Sequence, residues 1–156
     1  MARLISGVSG VDLVANKANK IRFSEIERNV PEKPGIYEIH TDAGIALKVG
    51  IGVNIRRRLL QHRASRQSCL KLRPGGHRCN QSDVQSKGSI LTKHLYYDKS
   101  ITVAYDLMAE RGRRMFLDER CYILFKITAS MASARELEKR LEGCGRFRYM
   151  NLVKKL

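Results

Sequence analysis

Two short apolar blocks, residues 35–40 and 45–50, stand close together in the first third of the chain. Both contain Ile, Tyr, Leu or Val, which favour extended structure. Residues 41–44 between them are Thr-Asp-Ala-Gly, a composition typical of a tight turn. The pattern therefore predicts two β-strands joined as an antiparallel hairpin.

The segments on either side of this hairpin carry helical signals. Ser24 and Glu27 have the spacing of a capping box, which predicts a short helix over 24–29. Asn54 is a suitable N-cap for a helix over about 55–66. Further along, helices are predicted over 90–97 and 132–141 and a strand over 121–128, whereas residues 103–119 are ambiguous with helix favoured for part of the stretch.

Three other stretches lack a clear period. Residues 11–20 have moderate helix propensity but a weak pattern, and residues 147–156 are expected to pack loosely at best. Residues 67–88 are rich in Gly, Ser, Gln and Asn, and we expect them to form a long basic loop.

Together these elements predict an α+β fold, a small three-stranded antiparallel sheet flanked by helices. A length of 156 residues is that of a single domain, 1–156. We expect its core at about 30–66 and 120–151, with a basic insertion at about 67–119.

The net charge of +15 indicates that this small domain binds a polyanion. Thirty Lys and Arg residues face fifteen Asp and Glu residues. Because released phosphate counterions favour binding of such a chain, nucleic acid is the expected partner. No long apolar run indicates a secretion signal or a membrane span, so we expect no membrane partner, a cytoplasmic protein and reduced cysteines.

The positive charge is concentrated in one stretch, because residues 43–82 contain no acidic side chain. A one-sided block of this kind indicates a surface for nucleic acid, although an interaction arm without catalysis would have the same composition. The expected nucleic-acid-binding residues are Arg56, Arg57, Arg63, Arg66, Lys71, Arg73 and Arg78.

A set of ordered motifs lies on the predicted hairpin and helices. The first is Gly35-Ile36-Tyr37, followed after ten residues by Lys48-Val49-Gly50. Downstream positions complete the set: Asn54, Arg58, His62, Ala134, Glu138 and the triplet Tyr149-Met150-Asn151. Outside residues 1–20 and 64–120, the chain resembles the GIY-YIG nuclease superfamily. It departs from that pattern at Lys48, where a Tyr is usual, although some nuclease branches also carry Lys there.

The resemblance implies roles for these side chains in phosphodiester hydrolysis. Tyr37 would activate or position the attacking water, and Lys48 would lower the phenol pKa or bind the water or phosphate itself. Arg58 would stabilise the pentacovalent phosphate with its planar fork. His62 would orient Tyr37 or the phosphate, or assist proton transfer. The alternatives remain a strand aromatic, a solvated arginine and a structural histidine.

The resemblance also implies a divalent metal ion, Mg²⁺ or Mn²⁺, bound by Glu138. One protein carboxylate is sufficient when substrate phosphate and water complete the coordination shell. Glu136 and Glu142 on the same predicted helix are the competing ligands. Supporting roles fall to Gly35, Gly50, Asn54 and Asn151.

The expected function is a metal-dependent endonuclease acting on DNA, with a role in restriction, mobile elements or repair. The alternatives are a catalytically inactive nucleic-acid-binding module and a ribonuclease. One site cuts one strand, so a double-strand break requires a dimer or two events, and no pattern indicates the oligomeric state. Structural zinc at Cys69, His77 and Cys79, completed by Cys121 or His94, is a weaker alternative because paired Cys spacing is missing.

Overall fold

A computed structural model describes residues 18–101 and 104–150 of the chain. The strands are β1 (Asn19–Arg22), β2 (Gly35–Thr41), β3 (Ala46–Gly52), β4 (Leu70–Leu72), β5 (Val84–Ser86) and β6 (Cys121–Ile127). The α-helices are α1 (Ile26–Asn29), α2 (Ile55–Ala64), α3 (Ile90–Tyr97), α4 (Glu110–Arg120) and α5 (Met131–Gly143).

The main sheet is antiparallel with the strand order β1-β6-β2-β3. The α+β class is therefore confirmed, but the sheet has four strands rather than three. The added strand is β1, in which Ile21 is buried opposite Ile123 of β6. Residues 19 and 20 thus belong to a strand and not to a helix, since pairing with β6 overrides a weak local propensity. Residues 11–17 lie outside the described residues.

The predicted hairpin is confirmed as β2 and β3. The turn between them is closed by hydrogen bonds from Thr41 N to Ile45 O and from Gly44 N to Thr41 O. Gly44 has φ of +91°, a conformation that glycine adopts without the steric cost of a side chain. The hairpin places Tyr37 of β2 directly opposite Gly50 of β3.

The stretch expected to be a long loop contains a second sheet, so this prediction was wrong. Strands β4 and β5 pair antiparallel, with Lys71 opposite Gln85. The difference is explained by Leu70 and Val84, whose side chains are buried against Tyr96 of α3. Each strand is only three residues long, too short for its pattern to stand out in the sequence.

Both faces of the main sheet are covered by helices. Tyr37 and Ile39 of β2 belong to the larger core, which also contains Leu59 of α2 and Phe116 of α4. The alternate residues of β2 and β3 face a smaller core that includes Leu141 of α5. This double coverage explains why every residue of β2 is buried.

Helix predictions are confirmed in place but differ at several ends. Asn54 caps α2 by accepting a hydrogen bond from Arg57 N, and the helix ends at Ala64, before Ser65 adopts φ of +44°. The capping box predicted for Ser24 was wrong. The carboxylate of Glu25 instead accepts from Arg22 N, and a short 3₁₀ turn over Phe23–Glu25 leads into α1.

The beginning of the tail is firmly packed, contrary to expectation. Phe147 and Tyr149 are buried, and the backbone amides of Arg148 and Tyr149 donate to the carbonyls of Ala46 and Leu47. This segment therefore covers part of the outer edge of β3. Residues 151–156 lie outside the described residues. Among the helices formed by residues 18–101 and 104–150, none has the length and apolar character needed to cross a membrane.

Candidate active site

Tyr37 and Gly50, one from each predicted motif, form a single structural unit. Tyr37 is fully buried, and a Cβ atom at position 50 would lie 2.2 Å from its hydroxyl oxygen. No side chain tolerates such an approach, so glycine at position 50 is what allows the phenol to lie across β3.

Hydrogen bonds continue from Tyr37 into α2 and α3. The Tyr37 hydroxyl lies 2.6 Å from Nε2 of His62, and Nδ1 of His62 lies 2.7 Å from Oγ of Ser89. Ser89 is the N-cap of α3 and accepts a hydrogen bond from Thr92 N. The side chains of Tyr37, His62 and Ser89 are all buried. The imidazole is therefore fixed at both ring nitrogens and holds the phenol in one orientation.

The imidazole of His62 is neutral at physiological pH. Burial lowers its pKa well below the ordinary value, and the nearby charges of Arg58 and Lys48 act in the same direction. A neutral ring has one nitrogen that donates and one that accepts, so it can bond a hydroxyl on each side.

Arg58 lies one helical turn before His62 at the edge of the site. Its Nη1 donates to the carbonyl oxygen of Gly88 over 2.7 Å, and to Gln61 Oε1 over 3.4 Å. Its Cβ packs close to Gly52, where an added Cβ would be 3.0 Å away. A surface cavity of about 270 Å³ opens beside it, lined also by Val53, Asn54 and Arg57. Arg58 is thus reachable by a ligand while its guanidinium is oriented.

The phenol of Tyr37 is protonated at neutral pH. Burial raises its pKa to about 12, Arg58 opposes the rise through its charge and a hydrogen bond, and Glu138 reinforces it. The sequence analysis assigned the lowering of this pKa to Lys48; Arg58 has that influence, and burial outweighs it.

Lys48 on β3 and Glu138 on α5 carry opposite charges close to Tyr37. Lys48 is 2% exposed, and burial lowers its pKa to about 8, assisted by Arg58 and opposed by Glu138 and Glu142. The charge of Glu138 raises the pKa of both Tyr37 and Lys48, so its carboxylate lies near them. Helix α5 packs most closely against β3, the edge strand that carries Lys48. The structure therefore gathers the five residues expected to perform the chemistry: Tyr37, Lys48, Arg58, His62 and Glu138.

The donor set fits a metal ion that shares its coordination with a substrate. Glu138 is half-buried, and Glu142 lies one turn further along α5 and is also half-buried. Within the described residues no group of three or more His, Cys, Asp or Glu side chains could hold a metal ion. Mg²⁺ bound by one or two carboxylates commonly completes its shell with water and phosphate oxygens. Glu136, the other competitor, is exposed.

The weaker zinc alternative gains no support from the geometry. Cys69 is buried and Cys79 is exposed, and Cys121 lies in the main core. No cluster of three metal-binding side chains occurs among residues 18–101 and 104–150, which include all of the candidate zinc ligands.

The predicted nucleic-acid-binding residues fall into two groups. Arg56, Arg63 and Arg78 make intramolecular contacts, donating to Val30 O, the Asp118 carboxylate and Leu70 O respectively. These three stabilise the fold and are only partly exposed. The four exposed members, suited to contact phosphate, are Arg57, Arg66, Lys71 and Arg73.

The predicted supporting residues are placed by backbone and capping contacts. A Cβ at Gly35 would lie 2.7 Å from the carbonyl oxygen of Lys126, so glycine there lets β2 and β6 approach. Asn54 caps the helix that carries Arg58. Asn151 lies outside the described residues.

Two features of the site region were not predicted from the sequence. Ser89 resembles an ordinary N-cap, and its bond to His62 joins positions 27 residues apart, which no local pattern reveals. A buried carboxylate, Glu38, lies on the opposite face of β2, where it bonds Nε2 of His40 over 2.7 Å and Arg146 over 3.3 Å. Alternation along the strand separates it from Tyr37.

Comparisons with protein-family models, curated proteins and solved structures found no match for this chain. The resemblance to a nuclease family therefore rests on the ordered motifs alone.

Proposed function

We propose that the chain is a metal-dependent endonuclease of the GIY-YIG type that hydrolyses DNA phosphodiester bonds in the cytoplasm. The observation that carries the proposal is the convergence of a buried phenol, two cations and a carboxylate from separate elements. Binding alone requires neither a buried phenol nor a buried lysine, and burying a charged group is costly unless it interacts. Each of the four groups has a role in phosphodiester hydrolysis.

In this proposal Tyr37 and His62 act together on the attacking water. A neutral phenol can accept a proton from water only if it passes its own proton on. Nε2 of His62, 2.6 Å from the hydroxyl, is the acceptor. We assign the His62 tautomer with its proton on Nδ1, bonded to Ser89. The water oxygen then bonds to phosphorus as its proton moves to Tyr37 and the Tyr37 proton moves to His62. The bond from phosphorus to the 3′ oxygen breaks, and that oxygen takes up a proton from solvent.

Arg58 and Lys48 stabilise the charge on the phosphoryl oxygens. The guanidinium is held by Gly88 O, and Arg58 lines the surface cavity through which a phosphate can reach it. Hydrogen-bond donors that are already oriented need little reorganisation to stabilise the transition state. Glu138 would hold Mg²⁺ or Mn²⁺, which when bound supplies positive charge for the departing 3′ oxygen.

A nucleic-acid-binding module without catalysis is the second candidate function. The exposed basic residues Arg57, Arg66, Lys71 and Arg73 would suffice for it. The two candidates differ in what the buried groups do, so they are separated by a cleavage assay. Ribonuclease activity is tested by the same assay with RNA.

The test is incubation of supercoiled plasmid with the protein in Mg²⁺ and, separately, in EDTA. We expect nicking in Mg²⁺, none in EDTA, and a loss of about 100-fold or more in Arg58→Ala. Arg114→Ala is the matched control, since Arg114 is an exposed arginine of α4 whose only described ion pair is with Glu110. Retardation of the plasmid without nicking in Mg²⁺ or Mn²⁺ would favour the binding module.

A further inference from the structure

The β4–β5 hairpin, residues 70–86, presents a polar face away from the protein. Leu70 and Val84 point inward and are buried against α3. Because neighbouring strand residues point to opposite faces, Lys71 and its partner Gln85 point outward, and both are exposed. The backbone pairing extends one step further through Arg73 N to Asp83 O.

The charge of this face is suited to a polyanion. Lys71, Arg73 and Lys87 are exposed and lie on or next to the paired strands. The only acidic residue between positions 67 and 88 is Asp83, whose carboxylate accepts from His77 N within the hairpin loop. One acidic side chain thus stands against three exposed basic ones, so the outer face keeps a net positive charge.

The hairpin is joined to the candidate active site through the residues that follow β5. Gly88 accepts a hydrogen bond from Arg58, and Ser89 bonds His62. Gln85 is four residues before Ser89, a distance of at most about 14 Å along the chain. Any ligand held by the hairpin is thus held at a nearly fixed distance from Tyr37 and Arg58.

We propose that this hairpin enters the major groove of B-form duplex DNA and reads base edges with Lys71 and Gln85. The distance between the bases read and the cleaved bond rests on the proposed nuclease function, whereas binding in the groove does not. A two-stranded ribbon fits the B-DNA major groove, in which lysine recognises guanine and glutamine recognises adenine. The major groove of duplex RNA is deep, narrow and closed to side chains, so the ribbon selects DNA. The bases read lie within about half a helical turn of the cleaved bond.

The first experiment measures binding in EDTA, so that it does not depend on catalysis. Fluorescence anisotropy at one salt concentration compares three ligands: duplex DNA, the same duplex with glucosylated 5-hydroxymethylcytosine filling the major groove, and duplex RNA of the same sequence. We expect the blocked DNA and the RNA to bind at least about tenfold more weakly than the open DNA. Equal affinity for open and blocked DNA would overturn the proposal.

The second experiment maps cleavage on a randomised duplex library in Mg²⁺. We expect a base preference at a fixed offset from the cut, and we expect the double variant Lys71→Ala, Gln85→Ala to lose that preference among the cuts that it still makes. Lys20→Ala on β1, at the opposite edge of the main sheet from β3, is the control and should keep the preference. A preference unchanged in the double variant would contradict the reading role. Groove-dependent binding without any cleavage would refute the nuclease and leave the groove assignment standing.

Discussion

At the scale of single residues, the candidate site depends on the absence of a side chain at position 50. Tyr37 can lie over β3 only because Gly50 has no side chain. His62 then reaches the phenol from α2, and Ser89 fixes the imidazole from α3. Three elements thus determine the position of one hydroxyl oxygen.

Replacing Gly50 with Ala should disturb the candidate site more than it disturbs the stability of the fold. The new Cβ would lie 2.2 Å from the Tyr37 hydroxyl, so the ring must move and its bond to His62 must break. We expect nicking to fall by about 100-fold or more, because the loss of a positioned proton-transfer group has effects of that order. The plasmid nicking rate reports on the site, and the melting temperature of the same preparation reports on the fold.

Gly143→Ala is the matched control for this substitution. Position 143 has no neighbouring atom within 4 Å of an added Cβ and no positive φ. It should therefore keep wild-type nicking. A wild-type rate in Gly50→Ala as well would mean that the position of the Tyr37 hydroxyl is unimportant for the reaction.

At the scale of elements, a buried arginine joins α4 to the end of α2 and the start of the hairpin region. Arg113 is fully buried and donates to Ser65 Oγ, Ser65 O, Leu107 O and Gln67 Oε1. These acceptors surround the point where α2 ends with Ser65 at positive φ. Arg113 therefore fixes the path of the chain from the helix that carries Arg58 and His62.

Arg113→Met should destabilise the protein by about 3 kcal/mol, since it removes charge-assisted hydrogen bonds and leaves buried acceptors unpaired. Urea unfolding measures the free energy of unfolding directly. Arg114→Met, the exposed neighbour, should change it by no more than about 0.5 kcal/mol. Equal, small effects of both substitutions would show that the Arg113 contacts contribute little net stability.

The elements also show where sequence reasoning succeeds. The β2–β3 hairpin and α2 follow from turn residues, β-favouring blocks and an N-cap, all of which act locally. Strands β1 and β4 are stabilised by partners far along the chain, β6 for β1 and α3 for β4, and so carry weak local patterns. The site residues follow from motif spacing, whereas Ser89 and the burial that sets the Tyr37 pKa depend on tertiary packing.

At the scale of the whole molecule, burial of neutral histidines links folding to pH. The pKa of His62 lies well below its ordinary value, and burial lowers that of His94 to about 4. In the unfolded chain both titrate near 6.5, so the unfolded state takes up protons that the folded state does not. The stability they contribute is present above about pH 6.5 and is lost as the pH falls.

Between pH 7 and pH 5 the free energy of unfolding should fall by about 2 kcal/mol through His94, and His62 acts in the same direction. His94→Phe should reduce the fall by that amount while keeping a ring stacked on Tyr149, which lies 4.7 Å away by ring centroids. Urea unfolding at both pH values measures the difference. An undiminished fall in the variant would mean that His94 takes up its proton without unfolding.

At the scale of the whole molecule, the proposed function requires one site, served by a basic surface, to hydrolyse DNA. The most direct test measures binding and cleavage of an end-labelled duplex in Mg²⁺, with wild type, Tyr37→Phe and Glu138→Gln prepared in parallel. We predict similar affinities for all three proteins and cleavage at least about 100-fold slower in both variants. Binding by all three without cleavage by wild type, or equal cleavage rates in all three, would contradict the account.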